Sequence, residues 1–253
     1  TIIDNSSNEM SFSETVAGTD GAKPAILSAA TGDNNSDGTV DRLVLTFSEQ
    51  VDLSSVDNNN FTLTESAGGS SLAISGSSSS SDQTSVTLTL TGVTANNTSL
   101  TISPNYDDAS GTIIDNSSNE MSFSETVAGI DLAAPALVSA SYKDTETPIG
   151  NAQVNRIDAV FSETLISSNY ESGDWTFPSN SASLSKSSGT VSGNTVQITV
   201  TGAPTNTTVL GTTTIKYTDQ GTDNSITDGT NNTATMGSAI TVTDGAAPVS
   251  YTH

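Results

Sequence analysis

The string TIIDNSSNEMSFSETVAG fills residues 1–18 and recurs letter for letter at residues 112–129, an offset of 111 residues. A looser copy, SITDGTNNTATMGSAITVTDGAAP, begins at Ser225, where Asp228, Asn232, Asp244 and Pro248 correspond to Asp4, Asn8, Asp20 and Pro24. The segments just after the copies correspond as well: DGAKPAILSAA from Asp20, DLAAPALVSAS from Asp131 and DGAAPVSYT from Asp244. A period near one domain length calls for tandem globular units, because solenoid repeats are much shorter. Two complete domains are therefore expected, over residues 20–130 and 131–243. Residues 1–19 are expected to be the terminal strand segment of a preceding repeat and residues 244–253 the start of a following one, in a chain cut from a longer array.

Within each unit the apolar residues alternate. In RLVLTFSE, Leu43, Leu45 and Phe47 share one parity, and in the matching RIDAVFSE so do Ile157, Ala159 and Phe161. Val86, Leu88 and Leu90 of VTLTL match Val196, Ile198 and Val200 of VQITV, while Phe61 in NFTLT matches Trp175 in DWTFP. LTISPNY similarly matches TTIKYTD. Period two with β-branched enrichment marks half-buried strands, and no long window carries apolar residues at helical spacing. Roughly seven short strands in about 110 residues predicts an all-β, two-sheet sandwich with inward Phe61 and Trp175. Apolar residues are only 33% of the chain and aromatics 5%. That scarcity would suit disorder if it were evenly spread, but here the apolar residues gather into strands between turn-forming clusters.

The order of these pieces resembles the immunoglobulin-like repeats of bacterial and archaeal surface proteins: a proline, a strand, an acidic loop, "TFSE", "NFTL", and finally "IIDNSSNEM" closing the unit. The resemblance spans nearly the whole chain. It implies tandem immunoglobulin-like sandwiches of the kind that build S-layer proteins and very large adhesins. Such repeats typically close with a D-x-x-G-N turn; Ser118 and Asn231 stand here where glycine is usual.

Charge restricts the partners. With 28 acidic and 6 basic residues the net charge is −22, which repels nucleic acid and anionic membrane surfaces and favours cations. No stretch is apolar enough to span a bilayer as a helix, so a membrane-embedded chain is not expected. There is no cysteine, so neither a disulfide nor a thiolate metal site is available.

The strongest local motif is TGDNNSDGTVDRL. Asp33, Asn35, Asp37 and Asp41 occupy alternating positions around Gly38, and alternate side chains of such a loop can converge on calcium, which takes about six to eight oxygens. Val44 stands where an EF-hand has its bidentate glutamate, so Glu49, a carbonyl or water would complete the shell. The same composition also suits an ion-free connection. The corresponding loop of the second unit keeps Asp144, Glu146 and Asn155. A second acidic group, Asp115, Glu125 and Asp131, surrounds one unit boundary, with Asp228 and Asp244 at the other; acids from adjacent domains can share calcium, or lie solvated in turns. Arg42 and Arg156 begin matching strands, each expected to pair with a nearby carboxylate. Sequons at Asn5, Asn60, Asn96, Asn97, Asn116, Asn206 and Asn231 would suit a glycosylated surface protein.

Catalysis has little to stand on. The single histidine is His253, which rules out a Ser-His-Asp triad and a His-ligated metal, and an active site seldom recurs in every link of an array. The expectation is therefore a non-catalytic, extracellular, cell-surface structural repeat protein, calcium-stabilised, forming part of an S-layer or of an adhesin stalk or filament. Its partners are neighbouring repeats or copies of the same protein. The alternative is an adhesive module for a surface glycan or partner, able to assemble by a donated strand built from Met10, Phe12 and Val16. The short joint over residues 129–135, stiffened before Pro135, predicts a stretched rather than folded-back pair.

Overall fold

A computed structural model describes residues 2–9, 17–68, 71–108, 111–122, 125–145, 154–166, 170–202, 212–221, 225–235 and 237–245. The donated-strand residues Met10, Phe12 and Val16, together with Glu146, Asn206, Pro248 and His253, lie outside them.

In unit one, strands β1 (Ile26–Gly32), β2 (Arg42–Phe47), β4 (Ala73–Ser79), β5 (Ser85–Thr91) and the short β8 (Gly129–Ile130) form one sheet, ordered β4-β5-β2-β1-β8. Strands β3 (Phe61–Glu65), β6 (Ile102–Tyr106) and β7 (Glu125–Thr126) form the other. Unit two repeats the plan with β9 (Leu137–Lys143), β10 (Arg156–Phe161), β11 (Trp175–Asn180), β12 (Ser185–Ser192), β13 (Thr195–Thr201), β14 (Thr213–Tyr217) and β15 (Ile240–Thr243). Here β15 serves both sheets: Ile240 and Thr241 pair antiparallel with β14, and Val242 and Thr243 pair parallel with β9. In unit one the same passage is broken in two, β7 running antiparallel to β6 and β8 parallel to β1.

The expected all-β sandwich is therefore present in both units, and the parity read from sequence points inward. Leu43, Leu45, Val86 and Leu88 are wholly buried, as are Ile157, Ala159, Val196 and Ile198. Each large apolar side chain so enclosed contributes about 1.5–3 kcal/mol relative to exposure. Phe61 packs on Tyr106 with ring centroids 5.7 Å apart, and Trp175 on Tyr217 at 5.3 Å, in equivalent places. Both tyrosines keep a polar tip within the core: Tyr106 Oη accepts from Ile113 N–H at 3.1 Å and Tyr217 Oη from Ile226 N–H at 3.2 Å. Each therefore ties the closing segment of its unit to the strand beneath.

Arg156 meets the expectation of a carboxylate partner, with Nε 2.7 Å from Asp158 Oδ1. Arg42 departs from it, donating to Asn34 Oδ1 at 3.2 Å, because Val44 stands where unit two has Asp158. Among the described residues no helix is long and apolar enough to cross a membrane.

Candidate metal centre

The closing turn of each unit is organised by one aspartate. Asp115 Oδ1 accepts from Ser117 N–H and Asn119 N–H, both at 2.8 Å, while Oδ2 accepts from Asn119 Nδ2 at 2.7 Å. Asp228 repeats this with Thr230 N–H, Asn232 N–H and Asn232 Nδ2. Asp4 repeats it a third time with Ser6 N–H, Asn8 N–H and Asn8 Nδ2. Ser118 and Asn231 adopt φ of 67° where the family resemblance calls for glycine, so the turn keeps its left-handed shape without one.

The free edge of this aspartate faces two more acids. One carboxylate oxygen from each of Asp20, Glu49 and Asp115 lies within 4.8 Å of the others, and Asp131, Glu163 and Asp228 form the same trio in unit two. The three members have matching origins: the first aspartate precedes β1 or β9, the glutamate follows β2 or β10 as the last letter of "FSE", and the second aspartate opens the closing turn. Each trio thus comes from a single unit. Asp115 and Asp131, which sequence groups at one boundary, sit in different trios.

Burial and like charge act together on these groups. Glu163 is 6% exposed, and desolvation, with Asp131 and Asp228 beside it, pushes its carboxyl up to about 8. Asp131 is raised to about 6, mainly by burial and then by Asp228. In unit one Glu49 is raised as well, by desolvation and by Asp20 and Asp115. Burial opposes ionisation of Asp115, but hydrogen bonds from Asn119 and Ser117 outweigh it and hold that carboxyl below its ordinary value. In unit two, then, Glu163 holds its proton to a higher pH than Asp131 beside it. The donor set is all oxygen, which suits a hard divalent cation such as calcium.

Unit one reaches this site in unit two. Thr98, wholly buried, places Oγ1 2.6 Å from both Glu163 Oε1 and Ser162 Oγ. Ser162 Oγ in turn accepts from Ala136 N–H at 3.0 Å. With one proton per hydroxyl, the chain runs from Ala136 N–H to Ser162, from Ser162 to Thr98, and from Thr98 to Glu163. Beside it Gly38 adopts φ of 89°, and a β-carbon there would lie 2.3 Å from Val138 Cγ1. Ala133 of the connector packs into the core of unit one.

The Asp33–Asp41 loop lies at this joint. Its acceptors engage its own backbone: Asp33 accepts from Ser36 N–H and Gly38 N–H, Asn35 from Asp37 N–H, Asp37 from Thr39 N–H, and Asp41 from Asn34 N–H. Its three aspartates are not among the groups of acidic oxygens that converge within the described residues. Glu49, expected to complete that loop's shell, joins Asp20 and Asp115 instead. Sequence alone does not single out Asp20 or Glu163 as ligands, although both stand at positions repeated between units. Of the sequons, Asn60 is wholly buried and donates to Gly111 C=O at 2.6 Å, whereas Asn5, Asn96, Asn116 and Asn231 are exposed.

Residues 20–126 match the family described as bacterial Ig-like domain. Two crystal structures of the bacterial S-layer protein SbsC align with the chain, one of residues 31–844 and one of the N-terminal part. The first covers 88% of the chain at 16% identity and the second 87% at 15%, each with a TM-score of 0.36. The chain spans 26% and 44% of their lengths. No curated protein matches the chain.

Proposed function

We propose that this chain, a bacterial Ig-like domain followed by a second unit of the same plan, is a structural segment of a cell-surface repeat protein whose joints are closed by calcium. The observation that carries the reading is the recurrence of one acid trio at the base of each unit, with the second trio capped by Thr98 of the unit before it. A spacer needs each link to hold its neighbour at a set angle, and a site at the base of every unit does that once per link. Three converging carboxylates are costly to ionise together, and a divalent cation offsets that cost. Asp131, Glu163 and Asp228 would supply three of the six to eight oxygens calcium takes, with carbonyls and water completing the shell. The same segment suits a surface lattice or a protruding stalk, since both need links and neither needs a ligand pocket.

Calorimetric titration and thermal melting test the cation. Calcium binding to the folded state raises the melting temperature. The expected result is two calcium-dependent contributions, one removed by Glu49→Gln and the other by Glu163→Gln, with Asp37→Asn leaving both in place. Absence of heat and of any thermal shift at roughly millimolar calcium overturns the calcium reading. Loss of the response in Asp37→Asn alone transfers it to the Asp33–Asp41 loop.

A further inference from the structure

We infer that the base of unit one is a docking seat for the far edge of a preceding Ig-like unit, held as unit one holds unit two. The inference deepens the array reading above and does not depend on calcium. It rests on a position-by-position contrast between two equivalent surfaces. In unit two, Ala133 is 1% exposed, and Ser162 and Glu163 are 6% exposed, while Val138 lies against Gly38 of unit one. Their equivalents in unit one are Ala22, Ser48, Glu49 and Leu27. Ala22 and Ser48 are exposed, Glu49 is half-buried, and Leu27 is 64% exposed.

The backbone beneath these residues is already set for docking. Ser48 Oγ accepts from Ala25 N–H at 3.0 Å, as Ser162 Oγ accepts from Ala136 N–H. Its own proton is therefore left for a further acceptor, and Ser48 is exposed where the equivalent Ser162 is covered by Thr98 Oγ1. Glu49 stands beside it with Asp20 and Asp115, as Glu163 stands with Asp131 and Asp228. An exposed leucine flanked by a serine hydroxyl and a clustered acid is an interface half, and the chain itself shows the other half. That partner offers a glycine in the left-handed region to admit the aliphatic side chain and a buried threonine hydroxyl to meet the serine and the glutamate.

The occupant is a preceding unit rather than a second chain because the lead-in is the same. Residues 1–18 repeat residues 112–129, and both strings enter the next unit at an aspartate, Asp20 or Asp131, at the same spacing. The turn at Asp4 also forms with the hydrogen bonds of the turn at Asp115. A unit closed by residues 1–18 would accordingly be delivered to the seat by its own connector, at high effective concentration.

The test extends the chain. Residues 20–111 placed ahead of Thr1 recreate a complete unit one, because residues 1–18 supply its missing end. The protein has no cysteine, so Leu27→Cys and Val138→Cys are each the sole thiol of their variants. Thiol labelling is followed in chelator, which separates this outcome from the calcium reading. Labelling of Leu27→Cys is expected to be fast in the 253-residue chain and at least about tenfold slower in the extended chain, matching Val138→Cys, since a docked joint reacts only when it opens. Gly38→Val in the added unit is expected to restore fast labelling at Leu27→Cys while Val138→Cys stays protected. Fast labelling of Leu27→Cys in an extended chain whose Val138→Cys is protected overturns the seat. Protection of Leu27→Cys in the 253-residue chain that grows with protein concentration overturns the preceding unit as occupant in favour of a second copy.

Discussion

Glu163 sits under three conflicting demands: it is buried, it faces Asp131 and Asp228, and it accepts from Thr98 at the joint. Its carboxyl is raised to about 8 from an ordinary 4.5, and Asp131 to about 6 from 3.8. Between those limits the folded chain holds protons that the unfolded chain has released, so stability declines as pH rises. In chelator the melting temperature of unit two is expected to fall from pH 5 to about 8, and Glu163→Gln, which keeps the acceptor for Thr98, is expected to flatten most of that slope. A slope unchanged in Glu163→Gln would place the titration elsewhere. Thr98→Val probes the same joint without altering its shape. It leaves Glu163 Oε1 and the Ser162 hydroxyl buried without their partner, at a cost of about 1–3 kcal/mol in chemical denaturation, whereas Thr98→Ser should retain most of the stability. At this scale sequence was only partly legible. Alternate acids around Gly38 suit an ion loop and an Asx-rich turn equally, because a carboxylate accepts backbone N–H groups as readily as it binds a cation. Asp20, Glu49 and Asp115 are brought together only by the sandwich, and no local spacing announces them.

Between residue and domain, the strands were the most legible elements. A half-buried strand imprints period two, and the parity of Leu43, Leu45 and Phe47, shared by Ile157, Ala159 and Phe161, identifies β2 and β10 without any structure. The closing segment is legible as a strand through the even spacing of Met10, Phe12 and Val16 in its repeated copy, but its division between two sheets is not. Glu125–Thr126 and Gly129–Ile130 are two-residue pairings that change sheet between them, each too brief to show a period of its own. The closing turn, by contrast, was visible as a repeated D-x-x-x-N, and its three copies permit a controlled comparison. Asp228 organises a turn over a packed core, with Ile226 and Ala234 buried on either side. Asp4 makes the same hydrogen bonds where Ile2 and Ile3 are 73% and 57% exposed. In chelator, Asp228→Ala is expected to lower the stability of unit two by roughly 1–3 kcal/mol, since it strands two backbone N–H groups and the Asn232 amide. Asp4→Ala is expected to leave the melting curve unchanged. Equal effects at the two positions would mean that the turn stabilises by itself and not through the core it closes.

For the whole molecule the joint is the deciding feature. A folded-back pair would need connector enough to reverse direction, yet only residues 131–136 separate the end of β8 from the start of β9. That stretch is also committed: Ala133 packs into unit one, and Ala136 N–H donates to Ser162. Thr98 and Gly38 meet unit two at its base, beside Val138 and Glu163, so the contact surface is the end of one sandwich on the beginning of the next. Charge acts in the same direction, because a chain of net charge −22 lowers its self-repulsion by separating its units along an axis. A compact globule of 253 residues would have a radius of gyration of about 18 Å. Small-angle scattering of the chain is expected to give a clearly larger value, with a pair-distance distribution skewed to long distances. Replacing Gly38 by Val sharpens the measurement. The added side chain meets Val138 and must assume a positive φ, so the joint should open and the spread of distances should broaden while each unit stays folded by near-ultraviolet dichroism. A radius of gyration at the compact value, unaltered by Gly38→Val, would show that the units pack side by side and that the end-to-end joint does not set the shape of the molecule.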